Sequence, residues 1–397
     1  MILRQAPDHP MVKYIDAVLA MQEDDLALAR SNLLEVLSVY PEHLESQLIM
    51  AKLTHDAGEF EQSRQFVTSV LAQRPDTVQA LSLLASVQMK TAEYEGAITT
   101  IQKLIDIQGE NAQLMSMLAA VNLDAGRTET GISLLERARE LEPANNLINS
   151  QLAAVYMRQG NTQEATSILQ LAVENAPDSL DSRVLLVVNH LRNQDFQSAI
   201  AATEEALTME PEQPSLYNLL GAAYKMSGDV DEARGYFEQA LDIDGSFVPS
   251  LYNMALLDAD LQNLDGAISY FNRILEIEPD NFRALQGLSR IHAIRGNTDE
   301  MVKLLEQSRN NNENDAFSRL VLGRFKLTNG ELDTALTMAN EAAAIVPGNP
   351  EIQLFLGQTQ LANGMLQEAE TTLTDLNNSN PDSPGVLYEL AKLNIIN

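Results

Sequence analysis

Residues able to do chemistry are few in this chain, and their spacing assembles no reaction site. The 397-residue sequence contains no cysteine, which removes disulfides, thiol catalysis and cysteine-based zinc sites. Its five histidines are His9, His43, His55, His190 and His292, and none forms a metal-ligand pair at i, i+3 or i+4. No glycine-rich loop has the pattern that cradles a phosphate. Asp258 and Asp260 resemble the start of a calcium loop, but the remaining ligands are missing and the surrounding pattern is helical. Carboxylates abound without any pair standing out as acid and base. No catalytic residue, metal or cofactor is therefore expected.

The cations are better ordered. Arg158 and Arg192 lie 34 residues apart, as do Arg290 and Arg324. Arginine suits paired contacts with carboxylates, so the two ladders could hold an acidic peptide or an anionic polysaccharide. Each arginine could equally pair with a nearby Asp or Glu of the same chain. The net charge of −30, from 26 basic and 56 acidic residues, argues against nucleic acid. It fits a self-repelling surface that stays in solution.

The spacing of 34 runs through the whole chain. Counting from Pro7, the in-phase residues are Pro41, Pro75, Gly109, Pro143, Pro177, Pro211, Gly245, Pro279, Glu313, Pro347 and Pro381. Such a period marks a repeat architecture. With the proline mark set at position 32, Pro10 is position 1. Position 8 is then small in most units, as in Ala17, Ala153 and Gly221, and so is position 20, as in Ala29, Ala165 and Ala233. Small residues at two fixed points let two helices cross closely. Position 15 is glycine in Gly58, Gly126, Gly160, Gly228, Gly296, Gly330 and Gly364, where a left-handed residue ends a helix. The proline ends the second helix. Apolar residues recur at helical spacing, as in Leu216, Leu219, Leu220 and Ala223. Each unit is thus expected to be a helix–turn–helix hairpin.

The constellation Leu220, Gly221, Tyr224, Ala233, Phe237 and Ala240, with Tyr217, closely resembles the tetratricopeptide repeat. Leu152, Ala153, Tyr156, Ala165, Leu169, Ala172 and Pro177 fit equally well, and the resemblance covers essentially the whole chain. It implies an all-α, right-handed superhelix of tandem hairpins: eleven repeats over residues 10–383, preceded by the end of a truncated repeat at 1–9. A further first helix is expected at 384–397. The stretch Ile2–Pro7 matches Val36–Pro41 in phase, and apolar Ile395 and Ile396 do not look like a polar cap. Both ends are therefore expected to be cut from a longer protein. Val184–Val188 is an apolar run of only five, and no stretch approaches the length of a membrane span.

In this family the first helix of each hairpin lines a concave groove through positions 2, 5, 9, 12 and 13. The resemblance therefore places Arg158, Arg192, Lys225, Tyr252, Arg283, Arg290 and Arg324 on that face as candidate binding residues. Position 5 has no lysine anywhere, so the family's clamp for a peptide C-terminus is not expected. Met21, Met89 and Met157 share position 12 and could bind or simply pack. The ninth unit breaks the pattern with Met301 at position 20, Ser289 at position 8 and a run from Asn310 to Asn314 around the proline mark. Lower local stability is expected there.

The implied role is a non-catalytic scaffold for protein–protein interaction. The wording of the segments Gly245–Ala255 and Pro279–Leu285 resembles a bacterial family of long tetratricopeptide-repeat lipoproteins that accompany the PEP-CTERM sorting and exopolysaccharide system. That resemblance implies a periplasmic or lipid-anchored envelope protein. A recognition domain of a larger enzyme or signalling protein, or a cytoplasmic adaptor, remains the alternative.

Overall fold

The computed structural model describes residues 9–381 and 383–396. The segment Ile2–Pro7, read above as the tail of a preceding helix, lies outside them. The described residues form 23 α-helices and no strand, in two compact units, Met1–Asn193 and Gln194–Asn397.

The first unit begins with α1 (Pro10–Gln22), α2 (Leu26–Val39), α3 (Leu44–Asp56), α4 (Phe60–Gln73), α5 (Val78–Lys90) and α6 (Tyr94–Gln108). It continues with α7 (Ala112–Asp124), α8 (Thr128–Leu141), α9 (Asn146–Gln159), α10 (Thr162–Asn175) and α11 (Leu180–Arg192). The second unit begins with α12 (Phe196–Met209), α13 (Pro214–Ser227), α14 (Val230–Ile243), α15 (Val248–Asp260) and α16 (Leu264–Ile277). It continues with α17 (Phe282–Ile294), α18 (Thr298–Asn311), α19 (Ala316–Thr328), α20 (Leu332–Ile345), α21 (Pro350–Ala362), α22 (Leu366–Ser379) and α23 (Pro384–Ile396). Within each unit, an odd-numbered helix packs on the even-numbered helix that follows, and that helix packs on the next hairpin.

The crossing points are as small as the sequence demands. Ala153, Ala165, Leu169 and Ala172 are fully buried. A Cβ on Gly221 would lie 2.4 Å from the Phe237 ring, and one on Gly287 would lie 2.3 Å from the Phe271 ring. A large ring at position 24 therefore requires glycine either in its own first helix or in the next one.

The turn between the two helices is left-handed in every hairpin and at the α11–α12 junction. The seven glycines at position 15 have φ between 74° and 99°. The other four units reach the same conformation with Asp24, Ala92, Gln194 and Gln262, at φ from 59° to 62°. The backbone geometry of the hairpin dictates the turn, and glycine only eases it.

The connection between hairpins is closed by side chains. The carbonyl at position 32 has no helical partner, and it accepts from position 4 of the following helix at Gln47 (2.6 Å), Asn149 (3.1 Å), Arg183 (3.1 Å) and Tyr217 (3.0 Å). Elsewhere position 26 of the following second helix donates to it, from Lys103 (2.6 Å), Arg273 (2.9 Å) and Gln307 (3.3 Å). Where Gly109 replaces the proline, α6 runs to Gln108, one residue further than the second helices around it.

Candidate functional site

Successive first helices touch one another, as α9 does α11, α13 does α15 and α19 does α21. The face they share carries positions 2, 5, 9, 12 and 13 together with position 6. Much of its polar chemistry ties one hairpin to the next. Ser116 donates to Gln151 (2.6 Å), Asn253 to Asn218 (2.9 Å) and Gln358 to Glu389 (3.0 Å).

The structure separates the seven candidate residues. Lys225 pairs with Asp260 at 2.9 Å, and Arg324 pairs with Glu351 at 2.7 Å, so both act as inter-repeat ties. Tyr252 is half-buried, its ring edge-to-face with Phe271 at 5.9 Å. Arg290 lies 4.7 Å over the Phe317 ring, and Arg283 lies 5.9 Å over the Phe282 ring. Arg192 is exposed at the C-terminal end of α11. Arg158 is exposed on α9 and lines a cleft. Both members of the Arg290–Arg324 ladder lie over a phenylalanine ring of the next hairpin, Arg324 at 6.0 Å from Phe355, but only Arg324 also has a carboxylate partner.

Two clefts on the first-helix face of the first unit share Ser116, Ala120 and Gln151. One, of about 580 Å³, reaches from Met89 on α5 over Met117 to Leu147 on α9. The other, of about 200 Å³, is closed by Leu123, Asp124, Ala154 and Arg158. Leu147, on the rim of the larger cleft, is 68% exposed. Among the position-12 residues, Met157 is buried in the core around Leu152 and Leu169. Met89 is only partly buried and reaches the cleft.

His55 stands 2.7 Å from Ser86 Oγ and 3.2 Å from Asp56, a serine–histidine–aspartate order. Ser86 lies inside α5, where the nearby amides are committed to the helix and cannot form an oxyanion hole. The contact joins α3 to α5. His9 and His43 accept from the amides of Met11 and Ser46 at the starts of α1 and α3. No group of three metal-binding side chains occurs among the described residues.

A ladder on the second helices escaped the sequence reading. Position 21 is arginine at Arg30, Arg64 and Arg234, and each crosses to the next hairpin. Arg30 grips both oxygens of Glu59, at 2.8 and 2.5 Å, and Arg64 grips both oxygens of Glu93, at 2.7 and 2.5 Å. These charge-assisted bonds hold both glutamates below the usual carboxylate pKa. Arg234 reaches buried Asp258 instead, which raises the guanidinium pKa. Burial, with a 2.8 Å hydrogen bond to Glu136, pushes the Tyr156 hydroxyl up to about 12. The signal was available in the 34-residue recurrence of Arg30 and Arg64, but a charged position on an outer helix resembles ordinary solvated surface.

Profiles described as tetratricopeptide repeat match residues 122–188, 184–246, 248–281 and 326–393. Among solved structures, yeast Tom70 aligns over 98% of this chain and 96% of its own, at a TM-score of 0.53 and 12% identity. A tetratricopeptide repeat protein from Parabacteroides merdae aligns over 63% of this chain and 98% of its own, with TM-score 0.47 and 19% identity. The C-terminal part of a TPR repeat-containing protein from Cytophaga hutchinsonii covers 61% of this chain and 99% of its own, with TM-score 0.48 and 13% identity. The likeness to Tom70 is one of fold. No curated protein sequence matches the chain.

Proposed function

Built of tetratricopeptide repeats, the chain is, we propose, a non-catalytic interaction scaffold that holds a segment of another protein along its first-helix faces. Stacked helical repeats generally offer extended binding surfaces of this kind. The observation that carries the reading is the pair of clefts over α7 and α9. The larger cleft offers Met89, Met117 and Leu147 as apolar contacts, and the smaller offers Arg158, which stands with Asp124 in its lining and forms no ion pair among the described residues. Such a cleft suits apolar side chains followed by an acidic group or a chain carboxylate.

Panning a random peptide display library on the full chain tests this. Enriched peptides should bind in solution and lose affinity when Leu147→Glu or Arg158→Glu is introduced. Both residues are exposed, so the fold should tolerate either change. Absence of any enriched peptide, or peptides indifferent to both changes, would defeat the reading. The finer role, in a bacterial envelope system for exopolysaccharide assembly or protein sorting, rests on repeat wording alone. A lipobox cysteine in the full-length gene product would support it, and an appended catalytic domain would favour a recognition role within an enzyme.

A further inference from the structure

We propose that the first-helix face of α17 is a second binding surface, which takes an acidic segment of a protein partner through Arg283 and Arg290. It rests on reading the first-helix faces as binding surfaces, and it concerns a different unit from the cleft over α7 and α9.

Arg283 and Arg290 are seven residues apart on α17, so they share one helix face about 10 Å apart along the axis. Neither has a carboxylate partner among the described residues, in a chain with 56 acidic and 26 basic side chains. Several carboxylates of this unit already have partners within the chain. Asp260 pairs with Lys225, Asp258 with Arg234 and Glu351 with Arg324. Asp315 accepts from Gln286, Ser308 and the Ser318 amide, and Asp280 accepts from Asn311. A positive pair left uncompensated in so acidic a chain attracts an external anion.

Arg290 sits 4.7 Å over the Phe317 ring, and Arg283 is 5.9 Å from that of Phe282. A guanidinium held near a ring without a carboxylate of its own keeps N–H donors for a two-point grip on a carboxylate. Exposed Ile294 and Phe282 supply apolar contact on the same helix as the cations. Two carboxylates with an apolar side chain between them, on an extended chain, satisfy all of this. At about 3.3 Å per residue, acidic residues three apart span the distance.

The probe is the labelled peptide Gly-Glu-Phe-Ser-Glu-Leu-Gly, titrated with the full chain and followed by fluorescence anisotropy. Saturable binding is expected, with a loss of about tenfold or more in the Arg283→Glu/Arg290→Glu variant. The same charge reversal at exposed Arg74 should leave it unchanged, and a peptide with both Glu replaced by Gln should not bind. If the reversal variant loses its helical circular dichroism, Arg283→Gln/Arg290→Gln serves in its place. Three results would overturn the proposal: equal binding of the Glu and Gln peptides, undiminished binding by the folded variant, or a uronate oligosaccharide binding where the peptide does not. Failure here leaves the α7–α9 cleft standing, since that cleft is judged by its own selected peptides.

Discussion

Arg234 and Asp258 form a pair at 2.5 Å that joins the second helix of one hairpin to the first helix of the next, with the Asp258 side chain only 3% exposed. The arginine occupies the same repeat position as Arg30, yet its partner lies inside the structure, whereas Glu59 remains about one-third exposed. Removing one member of a buried pair leaves an uncompensated charge, and the usual loss is about 3–5 kcal/mol. Asn263 also donates to Asp258, so about 2–3 kcal/mol is expected for Arg234→Ala. Urea unfolding should show a much smaller effect for Arg30→Ala, because solvated pairs contribute little. Equal losses at the two sites would refute the distinction.

The Arg30–Glu59 and Arg64–Glu93 pairs set an acid dependence. Both glutamates have folded pKa values below their unfolded ones, chiefly through the arginine hydrogen bonds. Their contribution is therefore complete above the ordinary glutamate value of about 4.3 and is lost as pH falls through the lowered folded values. The difference in melting temperature between the parent chain and Glu59→Gln/Glu93→Gln should hold steady from neutral pH to about 5 and then close at lower pH. A difference that grows on acidification would contradict the assignment.

Four left-handed turns lack glycine, and Ala92 at φ 59° is the least suited to that conformation. A left-handed alanine costs roughly 1–2 kcal/mol, against roughly 0.5–1 kcal/mol for the extra freedom glycine brings to the unfolded chain. Ala92→Gly should therefore stabilise the protein by about 0.5 kcal/mol, visible as a higher urea midpoint. Gly160→Ala, at φ 81°, should move the midpoint the other way. A lower midpoint for Ala92→Gly would mean that the turn is not strained.

The hairpins, their small crossings and the glycine turns were legible because each depends on residues within one period. Partners of surface charges were less so, because they depend on the next period. Position 9 reaches position 2 of the following hairpin, 27 residues on. Arg290 therefore meets Phe317 and Arg324 meets Glu351, and identical positions acquire different chemistry. Position 21 shows the same limit, with Glu59 and Glu93 as partners in two cases and buried Asp258 in the third. Aligning columns reveals which residues recur. Reading across columns is what reveals what they touch.

The ninth hairpin replaces apolar structure with a polar knot. Ser308 is fully buried at position 27, where neighbouring repeats place alanine or larger apolar residues such as Ile274 and Ala342. Its hydroxyl donates to Asp315 at 2.5 Å, and that carboxylate also accepts from Gln286 (3.0 Å) and the Ser318 amide (2.9 Å). A hydrogen bond contributes about 1 kcal/mol net, less than a fully buried leucine or isoleucine side chain at about 1.5–3 kcal/mol. Met301 also fills the position-20 crossing with a flexible side chain. Amides of α18 should therefore exchange faster than those of α16 and α20, and Ser308→Ala should widen the gap by leaving Asp315 one donor short. Native-state hydrogen exchange resolves this helix by helix. Uniform protection across residues 282–345 would show that the knot holds the hairpin as firmly as the proline turns hold the others.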